Sequence, residues 1–122
     1  MIELRKQLNK ILKSIHPRVY YMKATDKETF PYIVYDLPQS YSNDDQEIFN
    51  LDIDIWDNNQ DTTELEILSG TIWNELDRYH FIDEGTQFSI YRQGRFTIDD
   101  DDPRIKRRTL TFNIRYFDRR VR

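Results

Sequence analysis

Hydrophobic residues in this chain recur with two different periods, and the changes of period mark out its elements. Over Ile2 to Ile15, the apolar residues Leu4, Leu8, Ile11, Leu12 and Ile15 fall at helical spacing, with Lys and Arg between them. This predicts an amphipathic helix, ended by Pro17, because the residue before a proline is pushed out of the helical region. Val19 to Met22 is short, β-branched and aromatic, which predicts a strand, and Ala24 to Thr29 follows as a polar loop. Pro31 to Asp36 predicts a second strand, opened by a proline at its first position and closed by Pro38. Ser40 to Gln46 reads as a polar, acidic loop. From Glu47 to Asp57 the period is two: Phe49, Leu51, Ile53 and Ile55 point one way, Asn50, Asp52, Asp54 and Trp56 the other.

Asn58 to Asp61 predicts a turn, with Asp61 as an N-cap and Glu64 three residues on as its capping-box partner. The second helix then runs to about Tyr79, on a stripe of Leu65, Leu68, Ile72, Leu76 and Tyr79 widened by Ile67 and Trp73. Gly70 sits inside it at a cost of about 1 kcal/mol relative to alanine, which a close packing contact would explain. Thr86 to Ile98 predicts a strand bent at Gly94, Asp99 to Pro103 an acidic turn, and Ile105 to Asp118 the last strand. On that strand Leu110, Phe112, Ile114 and Tyr116 face one side and Arg107, Thr109, Thr111, Asn113 and Arg115 the other. The order helix-strands-helix-strands implies an α+β fold, a mainly antiparallel sheet packed with two amphipathic helices, as a single domain over residues 1–122. If the strands carrying Asp52 and Asp54 and those carrying Arg107 and Arg115 are neighbours, cross-strand ion pairs help set their register.

Composition changes this picture little. Of 122 residues only 38% are hydrophobic, but 14% are aromatic, and large rings can carry a thin core. A net charge of -4 lacks the overall basic excess of a sequence-independent DNA binder. There is no cysteine, hence no disulfide and no thiolate zinc site. No apolar run approaches the ~20 residues of a membrane helix. Met1 to Lys10 carries charges throughout rather than the apolar stretch of a signal peptide, so synthesis and action in the cytoplasm are expected.

No nucleotide loop, nucleophile elbow or metal-binding motif is present, so catalysis would have to rest on loose constellations. His16 and His80 each sit at the end of a predicted helix, where a cation interacts well with the helix dipole, and a structural role suffices for both. Asp52, Asp54 and Asp57 form a D-x-D-x-x-D run, and a magnesium-dependent nuclease could use the first two, which share a strand face. A solvated or arginine-paired face explains them more simply. Arg115, Arg119, Arg120 and Arg122 extend a basic C-terminal third, but alternation puts Phe112 and Tyr116 on the core side, away from Arg107 and Arg115. That favours a charged protein interface over a single-strand nucleic-acid groove.

Three stretches carry a resemblance to a known family: FPYIVYDLPQS at Phe30 to Ser40, FNLDIDIWDNNQDTTELEILSGTIWNEL at Phe49 to Leu76, and RRTLTFNIRYFD at Arg107 to Asp118. With the opening helix, the chain resembles the tail-completion, or tail-to-head joining (tail terminator), proteins of bacteriophages and prophages with long non-contractile tails. The resemblance implies a homo-oligomer, a hexameric ring on the head-proximal end of the tail tube. Its expected partners are the tail tube protein and the head connector or stopper protein. It implies no enzyme activity, no cofactor, no metal, no membrane and no specific nucleic acid, and a final place at the head-tail junction of the virion. Charge placement nominates the interface: acidic Asp44, Asp45, Asp99, Asp100, Asp101 and Asp102, and basic Arg104, Lys106, Arg107, Arg108, Arg119 and Arg120. On this reading, reversing Arg107 and Arg108 weakens assembly without unfolding the monomer. Another head-tail connector component, a phage-encoded adaptor or inhibitor of a host protein, and the nuclease are the alternatives.

Overall fold

The computed structural model describes residues 2–24 and 29–118. The elements are α1 (Ile2–Ile15), β1 (Val19–Tyr21), β2 (Tyr32–Asn43), β3 (Gln46–Asp57), α2 (Thr63–Leu76), β4 (His80–Ile82), β5 (Thr86–Asp99) and β6 (Lys106–Asp118). The strands form one sheet in the order β1-β2-β3-β6-β5-β4. Every pairing is antiparallel except β1 with β2, so the fold is α+β as the hydrophobic pattern predicts.

One face of the sheet supplies the core. Ile33 and Tyr35 of β2, Leu51, Ile53 and Ile55 of β3, Phe88 and Ile90 of β5, and Leu110, Phe112 and Ile114 of β6 are all buried there. The alternation read from the sequence is therefore the alternation of the sheet. Leu4, Leu8 and Leu12 of α1 and Leu65, Ile72 and Leu76 of α2 are fully buried against this face. Each such side chain stabilises the fold by about 1.5–3 kcal/mol. The α1 backbone ends where the His16 amide donates to the Leu12 carbonyl at 2.9 Å, just before Pro17.

Five local expectations are corrected. Pro38 does not close β2: the strand continues to Asn43 through an irregularity between Asp36 and Gln39. Beyond Tyr35 no strand among the described residues pairs with the outer side of β2, so the missing proline N–H costs no ladder bond there. Ser40 to Asn43 is accordingly strand rather than loop, because β3 offers it a paired backbone down to the Asn43–Gln46 closure. Only Asp44 and Asp45 turn, with Asp44 at φ 55°, a left-handed conformation that aspartate tolerates.

The second helix stops at Leu76 rather than near Tyr79. Asp77 is extended and Arg78 takes φ 60°, because the Arg78 amide donates to the Ile90 carbonyl of β5 at 2.7 Å. Tyr79 and His80 thus leave the helix, and His80 opens a short strand absent from the sequence reading. Finally, Gly70 makes no close contact: a Cβ added there meets nothing within 4 Å.

Candidate functional site

Ten of the twelve charged residues nominated above lie at or beside two hairpin tips, and strand pairing fixes where those tips are. Glu47 at the start of β3 pairs with Tyr116, and Asp57 at its end pairs with Lys106. The β2–β3 tip and the β5–β6 tip therefore stand at opposite ends of the sheet. Asp44 and Asp45, both exposed, form the first tip. Asp99 ends β5, Asp100 to Arg104 form the second tip, and Lys106, Arg107 and Arg108 open β6. Arg119 and Arg120 lie outside the described residues.

The second tip is internally paired. The Arg104 guanidinium binds the Asp102 carboxylate through Nε at 3.0 and 3.2 Å and through Nη2 at 2.7 Å. The Arg104 side chain and amide together pull the Asp102 carboxyl down to about 2 from its ordinary 3.8. The Asp102 amide in turn donates to Asp100 Oδ1 at 3.0 Å, and Lys106 Nζ donates to the Pro103 carbonyl at 3.0 Å. Arg108 Nε lies 2.6 Å from Glu66 Oε1 on α2. Arg107 Nη2 lies 3.0 Å from Asp54 Oδ1, and its guanidinium lies over the Trp56 ring at 4.6 Å. Acid and base are thus interleaved at this end rather than segregated into separate patches. Arg107 and Arg108 each have a carboxylate partner within the chain, so reversing them costs some stability as well as any contact between copies.

The face of the sheet away from the helices carries its own register rows. Tyr32, Trp56, Arg107 and Ile98 form one row across four strands. In it Tyr32 and Trp56 stack with centroids 6.2 Å apart, and Arg107 covers Trp56. The cross-strand ion pair is realised diagonally by Asp54 and Arg107, while Arg115 instead covers Tyr91 at 5.1 Å. Asp36 stands directly opposite Asp52, two like charges in one row. Burial first, then Asp54 and Asp36, raise the Asp52 carboxyl above its ordinary value. Asp57 points to the other face and is buried, with Oδ1 accepting the Asn58 amide at 2.8 Å, so the three-aspartate run is split between faces. Among the described residues no three His, Cys, Asp or Glu side chains gather as a metal site would need.

Both histidines make local polar contacts. His16 Nε2 donates to the Pro31 carbonyl at 2.8 Å, beside Arg18 Nε at 2.9 Å. His80 Nδ1 lies 2.6 Å from Ser89 Oγ on β5, so it bridges two strands instead of capping a helix.

A feature missed in the sequence is a basic corner on β5. Arg92 and Arg95 lie 5.0 and 5.1 Å over the Trp73 ring, and Arg92 Nε stands 3.6 Å from Asp77. Beside it, a cleft of about 330 Å³ opens between α2 and the β5–β6 pair, lined by Glu66, Ser69, Arg95, Thr97 and Arg108. The bend at Gly94 between two arginines was its only visible signal. Among the described residues no helix is long and apolar enough to cross a membrane.

No family model matches this chain, and no curated protein matches it. The fold is similar to that of a chain in a solved structure titled "Virion of native gene transfer agent (GTA) particle", with a TM-score of 0.68. The likeness covers 88% of this chain and 84% of that one at 11% sequence identity.

Proposed function

We propose that this chain is a structural component of a phage-like particle. Within that class, we propose that it is a tail-completion protein, which caps the head-proximal end of the tail tube and joins the tail to the head connector. The observation that carries the reading is the fold shared, over nearly the whole of both chains, with a component of a gene transfer agent virion. The order of elements behind the tail-completion resemblance supports it: the amphipathic opening helix, the β3-to-α2 passage ending near Trp56, and the long last strand.

On this reading the work is done by surfaces and no reaction is catalysed. The chain acts as a homo-oligomeric ring between the tail tube protein and the connector, assembled in the host cytoplasm and retained in the virion. The exposed pair Asp44 and Asp45, together with Asp99 to Asp102, Arg104 and Lys106, provides charged contact points at both ends of the sheet.

Electron microscopy of lysates from a phage or prophage lacking this gene tests the proposal. Filled heads beside unattached tails, with tails of irregular length, are expected. Tails of normal length beside heads that fail to join would move the protein to the head side of the junction. Complete virions would overturn the structural role.

A further inference from the structure

Among the described residues the sheet ends in two open backbone edges, and their placement is complementary. On the outer side of β2, β1 pairs only with Ile33 to Tyr35. Beyond the irregularity at Asp36/Gln39, the segment from Gln39 to Asn43 is exposed. On the outer side of β5, β4 pairs only with Gln87 to Ser89, and the turn after α2 reaches Ile90 and Arg92. Beyond the irregularity at Arg92/Gly94, Arg95 to Thr97 are exposed. Edge strands are normally blunted by prolines, charges or bulges. Here each bulge lies just before the open segment, and neither Gln39–Asn43 nor Arg95–Thr97 contains a proline.

We propose that these edges pair with one another between copies of this chain, β2 of one copy antiparallel to β5 of the next, so that the sheet continues through the assembly. The proposal rests on the reading that the chain forms a homo-oligomer, and adds which surfaces meet.

Direction, stagger and charge argue for this occupant. Within one copy β2 and β5 run in opposite senses, since β2 opposes β3, β3 opposes β6 and β6 opposes β5. Copies set side by side with the same orientation therefore bring an antiparallel pair together. The open segments lie at diagonal corners: Tyr41 is level with Ile48 of β3, and Phe96 is level with Asp54. That is six positions along β3, or about 20 Å at ~3.3 Å per residue. The four long strands span about 19 Å at ~4.8 Å each, so the implied tilt is about 45°. Closing a sheet on itself requires such a stagger, with tilts of about 35–45°. A flat, untilted arrangement would instead bring β4 or β1 against the open segments. In this register the acidic tip, Asp44 and Asp45, comes beside Arg95 of the neighbour, which has no carboxylate partner among the described residues, whereas Arg92 is already held by Asp77. Such opposite charges favour the heterologous pair over β2 with β2 or β5 with β5.

The natural chain has no cysteine, which allows a clean crosslinking test. Tyr41 and Phe96 are 52% and 55% exposed, so Tyr41→Cys and Phe96→Cys should leave the fold intact, checked by circular dichroism. Gly94→Cys and Ile98→Cys, two positions away on the same face as Phe96, serve as neighbouring registers. Under mild oxidation at up to millimolar protein, mixing Tyr41→Cys with a β5 variant is expected to give disulfide-linked dimers. Each variant alone is expected to give few, and the double variant a ladder of oligomers. Adding Arg95→Glu to the Phe96→Cys chain should cut the mixed dimer by about tenfold through like-charge repulsion. Absence of mixed dimers in all three registers, or equal crosslinking of single variants with themselves, would overturn edge pairing. Neither result bears on the deletion phenotype, which tests the tail-completion reading separately.

Discussion

The two long hairpins use similar residues to opposite ends. The β5–β6 hairpin carries four aspartates and four basic residues between Asp99 and Arg108. Three of those basic residues, Arg104, Arg107 and Arg108, are held by carboxylates of the same chain. The β2–β3 hairpin carries Asp44 and Asp45 at an exposed tip, with no ion pair to either carboxylate among the described residues. Counting charges in the sequence ranks the first hairpin as the stronger interface. In the structure the β2–β3 tip is the one whose charges have no ion pair among the described residues, and a charge already neutralised within its own chain has less to offer a partner.

Substitutions can break this contrast. Arg107→Glu should have the largest effect, a loss of about 2–3 kcal/mol in urea unfolding, since it sets a carboxylate against the partly buried Asp54 and removes the cover over Trp56. No measurable loss would mean that the pair is dispensable. Arg108→Glu should cost less, about 1 kcal/mol, because its partner Glu66 is 56% exposed. Combining it with Glu66→Arg should recover part of that loss in a double-mutant cycle.

In the β2–β3 hairpin the sign should reverse. Asp52→Asn removes the like charge opposite Asp36 and should stabilise the protein by about 0.5 kcal/mol at neutral pH. The folded state raises the Asp52 carboxyl, so it holds the proton more tightly than the unfolded chain does. Ionisation therefore opposes folding: its cost is absent below the ordinary value of 3.8 and complete above the raised folded value. The advantage of Asp52→Asn should accordingly fade as acid unfolding curves move below that window.

Asp44→Lys with Asp45→Lys should change stability by less than about 0.5 kcal/mol while abolishing particle assembly in a complementation assay. Normal assembly would remove this tip from the interface. The smallest effect belongs to Arg104→Ala. By NMR titration the Asp102 carboxyl should rise from about 2 toward 3.8 with little change in stability, because both groups are solvent-exposed.

Much of the fold was legible because periodicity is a local property. Leu4, Leu8 and Leu12 declare a helix face, and Leu51, Ile53 and Ile55 a strand face, whatever they pack against. The extension of β2 past Pro38 was not legible, since Gln39 to Asn43 is polar and becomes strand only because β3 lies alongside. His80 was misplaced for a related reason: Tyr79 keeps helical spacing, but its ring packs on Phe88 of β5 from beyond the end of the helix. Of the candidate site, the acidic and basic residues were visible, while Arg92 and Arg95 became a corner only when the bend at Gly94 met Trp73 of α2.

The sequence alone determined the α+β class, the two helix faces and the inward sides of the long strands, because each follows from residue spacing within one element. Tertiary structure decided the strand order, the opposite placement of the hairpin tips, which charges are already paired and which backbone edges stay open. Those depend on register between segments as distant as Asp54 and Arg107, where hydrogen-bond geometry and cross-strand packing choose among pairings that spacing within a single segment leaves equivalent.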